Sequence, residues 1–344
     1  MSAGARTRLG ALLRWETLLL VVVIALIWIG TNASPVFLSG RNFTNLTVAV
    51  IEVAIMALPM TLIVIAGEID LSVESMAGLG CALLGVLFDA GVPLVIAIPI
   101  VLAVGALGGL LNGVLVTRAG LPSLVVTIGT LALFRGLALV VLGPRGVSGF
   151  PQWFTDFGFG TIPGTPIPWP FVIFVPLAAV LGVVMHRTWV GRQIYALGKN
   201  ADAARFSGIR VARTKVLLFM LSGTVAALAG VVLTARFASA RADVGEGLTL
   251  TVVTIVLLGG VNIFGGRGTI PGVVLAALTL AILGNVLRLT SVSAEIQSIA
   301  VGLLLILSVV LPNLAHQLRS AYDRVQRGRR LSAGSVATGG TAGP

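Results

Sequence analysis

Long apolar stretches broken by short polar turns run from about residue 15 to residue 312 of this chain. A bilayer span needs roughly 20 mostly apolar residues. Ten stretches are candidates: about 15–30, 46–66, 72–88, 93–116, 123–142, 170–186, 214–235, 248–262, 270–288 and 295–312. Those at 170–186 and 248–262 are short. The pattern predicts an all-α, polytopic membrane protein of about ten transmembrane helices, with 15–312 as its membrane domain. One long interval between apolar segments is dense in charge: Arg187 to Lys215, RTWVGRQIYALGKNADAARFSGIRVARTK. Within it, ADAARFSGI sets small and apolar residues against polar ones at helical spacing. That spacing predicts a short amphipathic helix lying outside the bilayer.

Composition agrees with the pattern. Of 344 residues, 57% are hydrophobic and 10% charged, against about 25% charged in a soluble domain. So much apolar surface needs lipid as its solvent. The formal charge of +11 could point to nucleic acid, but Lys and Arg collect in the cytoplasmic loops of membrane proteins without acidic balance. No nucleic-acid partner is expected. Two His residues leave little material for a metal site, and the single Cys81, in an apolar run, cannot form an internal disulfide. The basic start (Arg6, Arg8, Arg14) leads into an apolar run without an A-x-A-like cleavage site, so a retained first span is expected rather than a removed signal peptide.

Charge fixes an orientation for ten spans. With the N-terminus inside, the inner segments are 1–14, 67–71, 117–122, 187–213, 263–269 and 313–344. With Lys215 counted at the boundary they hold 17 of the 23 Lys and Arg residues; the outer segments hold Arg41, Arg145, Arg236 and Arg241. Arg135 and Arg288 fall within spans. The positive-inside rule then gives N-in, C-in. The outer segment 143–170 carries Trp153, Phe154, Phe157, Phe159 and Trp169. These suit an interfacial aromatic belt or a platform that receives a partner or substrate. The tail from Ser332 is small and polar, and disorder is expected there. The many glycines within spans, as in GALGGLLNG (105–113), predict close helix packing.

Three stretches could carry chemistry. AGEIDLSVES (66–75) places Glu68, Asp70 and Glu74 where the second span meets the third. Ionisable residues at membrane depth are usually functional, but Asp70 or Ser72 would also serve as a helix cap in a turn. GGVNIFGGRGTIPG (259–272), half of it Gly or Pro, cannot be a continuous helix. It lacks the phosphate-cradling G-x-x-x-x-G-K-[ST] pattern, so a tight or re-entrant turn is expected. Both stretches set an acid or amide two or three residues after a Gly that follows an apolar span, a hint of internal duplication. The third is the 187–215 interval. Positive-inside bias explains its Arg residues; its small residues Ala201, Ala203, Ala204, Ser207 and Gly208 describe a narrow face able to dock into a partner's groove. No nucleophile elbow or metal pair is present, so no catalytic residue is expected.

These stretches resemble one family. GEIDLSVES is similar to the GGIDLSVGS signature of permease subunits of ribose-type carbohydrate importers of the ATP-binding-cassette class. GRQIYALGKNADAARFSGI (191–209) resembles the family's cytoplasmic loop, GGVNIFGGRGTIPG its third signature, and TIGTLALFRGLALVV (127–141) fits with Gly129, Thr130 and Arg135 in place. The order agrees over roughly 40–312.

The resemblance implies a bundle similar to the cobalamin-importer permeases. Its partners would be a second permease copy or paralogue, cytoplasmic ATPase subunits that bind the ATP, and an extracytoplasmic sugar-binding protein. This chain would hold no cofactor of its own. Residues 187–213 would form the coupling loop, with Gly191, Tyr195, Gly198, Asn200, Ala203, Ala204, Gly208 and Ile209 as ATPase-coupling positions. Asp70, Ser72, Asn262, Gly265 and Gly266 would form the signature turns. Members carry ribose, other aldoses, rhamnose or a furanosyl signalling molecule of the autoinducer-2 kind. Glu68 and Glu74 depart from the family's Gly. The competing expectation is an ion-coupled secondary transporter that uses Glu68, Asp70 or Glu74.

Overall fold

The computed structural model describes residues 15–308 and 310. The expected inner termini, 1–14 and 313–344, lie outside the described residues. Within the described residues, each of the ten apolar stretches holds helix. In chain order the elements are α1 Trp15–Ala33, α2 Gly40–Val48, α3 Ile51–Ile65, α4 Val73–Asp89, α5 Leu94–Thr117, α6 Ser123–Leu142, β1 Val147–Ser148, α7 Gln152–Phe159, α8 Phe171–Arg187, α9 Trp189–Lys199, α10 Ala201–Phe206, α11 Val211–Phe237, β2 Ser239–Ala240, α12 Leu248–Leu258, α13 Ile270–Leu289 and α14 Ala294–Ser308.

The starts of several helices follow from local chemistry. Ser39 Oγ accepts from Asn42 N (3.2 Å) at α2, and Thr269 Oγ1 from Gly272 N (3.2 Å) at α13. Each hydroxyl satisfies one of the unpaired N–H groups of a first turn.

Candidate spans among the described residues number five to seven, beside the ten expected. Among the described residues, five helices are long and apolar enough to cross a membrane: α1, α5, α6, α11 and α13. Two bent pairs raise this to seven, α2 with α3 (47°) and α8 with α9 (72°). α12 has 11 residues, about 16 Å of helix, roughly half of a bilayer core. The apolar run 248–262 therefore holds a half-length helix ended by its glycines. The fold is mostly helical, with one short strand pair beside the helices. β1 and β2 pair antiparallel, Val147 opposite Ala240 and Ser148 opposite Ser239.

α3 and α11 form the centre. Every residue of α3 is buried. α5 lies against α11 at very short range: a Cβ on Gly109 would sit 2.1 Å from Phe219 O, and one on Gly223 2.2 Å from Gly105 O. The glycines at 105, 109 and 223 thus let two backbones meet, as small residues do between membrane helices. Large apolar side chains of α1 and α6 face outward, among them Ile24 and Val140, as lipid-facing surfaces require.

Alternate connections gather at opposite ends. At one end the segments 66–72, 188–210 and 259–269 pack together. At the other, Thr44 donates to Pro166 O (2.8 Å), the β pair joins 147–148 to 239–240, and Gly158 of α7 rests on Ala235. The aromatic residues of 143–170 divide there. Phe150 stacks on Phe88 (4.5 Å) and Phe154 is buried, while Trp153 and Phe159 are exposed.

Candidate functional site

The three stretches singled out in the sequence meet at one junction. α3 ends with Gly67 at φ +83°, and α12 with Gly260 at φ +82°. Both ends close the same way. Glu68 N donates to Ile63 O (3.1 Å) and Gly67 N to Val64 O (3.0 Å); Val261 N donates to Val256 O (3.3 Å) and Gly260 N to Leu257 O (2.9 Å). A left-handed glycine is what lets a helix end satisfy its last carbonyls in this pattern. Each is followed by an Asx turn: Asp70 Oδ1 accepts from Ser72 N (3.0 Å), and Asn262 Oδ1 from Phe264 N (2.9 Å). The likeness of GEIDLSVES and GGVNIFGGR is therefore a likeness of local backbone as well as of residues.

α9 is wedged between these two turns. Gly266 N donates to Ile65 O (2.8 Å), joining them directly. A Cβ on Gly198 would stand 1.8 Å from that same carbonyl oxygen and 2.6 Å from Gly266 N. Tyr195 Oη donates to Gly268 O (2.7 Å). Gly265, at φ +85°, has no room for a side chain either, because a Cβ would lie 2.9 Å from Gly198 O. α1 joins from the side, with Trp15 Nε1 donating to Leu258 O (2.6 Å) and Thr269 Oγ1 donating to Glu16 (2.9 Å).

The expected single amphipathic helix at 201–209 is a shorter one. α9 stops at Lys199, and Asn200 caps the six-residue α10 by accepting from Ala203 N (2.9 Å). α10 ends at Gly208, φ +83°, with Ile209 N returning to Ala204 O (3.1 Å). The eight proposed coupling positions split. Gly191, Tyr195, Gly198 and Ala204 turn into the chain's own packing, with a Cβ on Gly191 placed 2.1 Å from Met185 O. Ile209 is half-buried. Asn200, Ala203 and Gly208 are exposed, and beside them Phe206 stands 91% exposed. Phe206 is the residue the small-residue reading passed over.

Beyond the junction lies a buried polar network. Asp70, 1% exposed, also accepts from the hydroxyls of Ser72 (2.6 Å) and Ser222 of α11 (2.8 Å). Asn112 of α5 donates to Ser72 Oγ (2.9 Å). Ser72 is the N-cap residue of α4 but makes no side-chain cap bond, so Asp70 does not cap the helix; its carboxylate joins the turn before α4 to α11 directly and, through Ser72, to α5. Ser123 and Thr127 of α6 hold Ile69, accepting from its N–H (3.2 Å) and donating to its carbonyl (3.3 Å).

The two acids that depart from the family's glycines each have a cation. Glu68 pairs with Lys215. Glu74 lies 3.9 Å from Arg135, which donates to Ala242 O (2.8 Å). The other Glu74 oxygen accepts from Thr249 N (2.8 Å) in the first turn of α12. Gly247, which precedes that helix, has no side chain to cap it, so a carboxylate from α4 does so where the helix dipole is positive. Arg135 lies 12 residues into α6, about 18 Å along its axis. This knot of α4, α6 and the start of half-length α12 is thus deep in the bundle. Arg135 is held inside the bundle by Glu74 and the Ala242 carbonyl.

A third pair escaped notice in the sequence. Arg236 sits 2.9 Å from Glu52, which is 1% exposed, and donates to Val48 O (3.0 Å). The contact brings the charges together without hydrogen-bond alignment. The lone acid of IEVAIMALPMTLIVI was the available signal. Its partner, 184 residues away, gave none.

With this geometry in view, comparison with known proteins is decisive. Residues 42–309 match the family model described as the permease component of branched-chain amino acid transport systems. The chain belongs to that family.

A relative from Yersinia enterocolitica, autoinducer 2 import system permease protein LsrD, is 42% identical over 80% of this chain and 85% of its own length. LsrD proteins of Yersinia pseudotuberculosis and Photorhabdus temperata are each 38% identical, covering 93% and 92% of the chain respectively and 97% of their own lengths. No solved structure matches. As a family member the chain is a multi-pass membrane permease component and not an enzyme. The matched region holds all three stretches of the junction and both acid–cation pairs of the turns.

Proposed function

We propose that this permease is the membrane subunit of an ATP-binding-cassette importer and that its cargo is a carbohydrate of the autoinducer-2 kind. The LsrD relatives, alike over almost the whole chain, support the cargo over the amino acids of the family description. The proposed partners are a cytoplasmic ATPase that binds the ATP, an extracytoplasmic binding protein that delivers the sugar, and a second permease, identical or paralogous. In the proposed topology 15–312 is the membrane domain, both termini are inside, 143–170 is outside and 187–213 faces the ATPase. The excess of Lys and Arg at the junction end supports that orientation.

The observation that carries the reading is the Gly198 contact. The exposed tip of the 187–213 loop, α10 with Phe206, continues through Asn200 into α9, and α9 is locked by Gly198 and Tyr195 to the turns that follow α3 and α12. A push on α10 by a closing ATPase dimer would reach both turns through rigid contacts. It would rock the helices behind them, as alternating access requires. Phe206→Asp should abolish ATP-driven uptake and co-purification with the ATPase while the chain still inserts; retained uptake would sink the coupling role.

The acids on which an ion-coupled transporter would depend are engaged: Glu68 and Glu74 are ion-paired, and Asp70 accepts three hydrogen bonds. That weighs against the secondary-transport alternative. Reconstitution of the chain alone under a proton or sodium gradient tests it; gradient-driven uptake would favour it.

A further inference from the structure

Where α9 passes the first turns of α11, a cavity of about 400 Å³ opens, within the range of ligand-binding clefts. Its lining mixes cationic and apolar side chains: Arg210 and Arg213 with Val190, Leu217 and Leu218. Gln193 and Thr214 add neutral hydrogen-bonding groups. No acid lines the cavity, and among the described residues neither Arg210 nor Arg213 forms an ion pair. Two lining residues are also exposed to the surroundings, Trp189 at 63% and Leu217 at 53%. Lys215, in the same turn of α11, is already matched by Glu68. Both charged residues of the lining are therefore unmatched.

Two guanidinium groups and several apolar side chains in one lining, with an exposed indole among them, fit a molecule that is anionic at one end and apolar along the rest. Arg binds phosphate oxygens in its fork geometry, and Trp favours the membrane–water interface. Basic pockets beside membrane helices on the cytoplasmic side take acidic headgroups. We propose that this cavity seats the headgroup of an anionic phospholipid, its phosphate on Arg210 and Arg213 and its first acyl carbons along Leu217 and Val190. The proposal rests on the inner placement of this end given above. Such a lipid would wedge between α9 and α11 beside the junction, and would make the position of α9 sensitive to the acidic lipid content of the membrane.

The test is lipid binding to the purified full chain, delipidated in uncharged detergent and measured by native mass spectrometry with phosphatidylglycerol and phosphatidylcholine. Sidedness does not enter this measurement, so its failure is separable from failure of the topology or of ATPase coupling. Wild type should prefer phosphatidylglycerol. Arg213→Gln should weaken that lipid about fivefold and the double variant Arg210→Gln/Arg213→Gln about 30-fold. Arg210→Lys/Arg213→Lys should keep most of the affinity, and Arg145→Gln at the opposite end should change nothing. Equal binding of the two lipids, or unchanged phosphatidylglycerol affinity in the double Gln variant, would overturn the proposal. So would a double variant that loses the ATPase yet keeps the lipid, since the arginines would then serve the subunit interface.

Discussion

Gly198→Ala is the smallest change that addresses the junction. The new methyl would be built 1.8 Å from Ile65 O and 2.6 Å from Gly266 N. An ordinary carbon–oxygen contact is about 3.3–3.6 Å, so α9 and the α3 turn must part by roughly 1.5 Å. Both close atoms are backbone, and no side chain can swing away. Overpacking of this kind costs about 1–3 kcal/mol. Separation also stretches the 2.8 Å bond from Gly266 N to Ile65 O, and an interior amide left unpaired costs about 1–3 kcal/mol more.

Gly208→Ala is the matched comparison. Its φ is +83° but no atom lies within 4 Å, so the cost is about 1–2 kcal/mol of local backbone strain. Thermal unfolding of the two variants in detergent should show the larger loss for Gly198→Ala. Hydrogen exchange should show faster exchange of the Gly266 amide in that variant alone. A Gly198→Ala protein as stable as wild type, with Gly266 still protected, would refute the close contact and the mechanical link built on it.

Other expectations follow from the buried charges. Arg135→Gln leaves Glu74 without its cation deep in the bundle and should cost about 3–5 kcal/mol. The double change Arg135→Gln/Glu74→Gln should recover part of that, which a double-mutant unfolding cycle reads directly. Glu52→Gln should likewise destabilise through stranded Arg236; additivity of Glu52→Gln with Arg236→Gln would show the pair to be uncoupled. Tyr195→Phe, which removes one hydrogen bond to Gly268 O, should cost about 1 kcal/mol and leave insertion intact.

Helix positions were legible because apolar runs of this length have few alternatives. Each of the ten stretches holds helix among the described residues, and for most of them the ends lie close to those read from the residues. What the runs could not show is where a helix stops short of a full span. At α12 the cause is the Gly259–Gly260 end together with the entry of 241–247, where Gly245 and Gly247 take positive φ. The three chemical stretches were visible one by one, but their meeting depends on Ile65, Gly198 and Gly266, which lie far apart in the chain. Gly191 and Gly198 entered as coupling positions through the family resemblance. Their local use is to admit neighbouring backbone of the same chain, which residue spacing does not reveal. Glu68 and Glu74 stood out as departures from a pattern, and their compensation by Lys215 and Arg135 is a matter of tertiary contact.

Uptake by the reconstituted system tests the central claim most directly. The permease is placed in liposomes with its candidate ATPase and binding protein, and accumulation of labelled autoinducer-2 is followed with ATP inside the cytoplasmic compartment. The account predicts accumulation that needs ATP and all three components and is lost in Phe206→Asp. Accumulation by the permease alone under an ion gradient, without ATP, would contradict it.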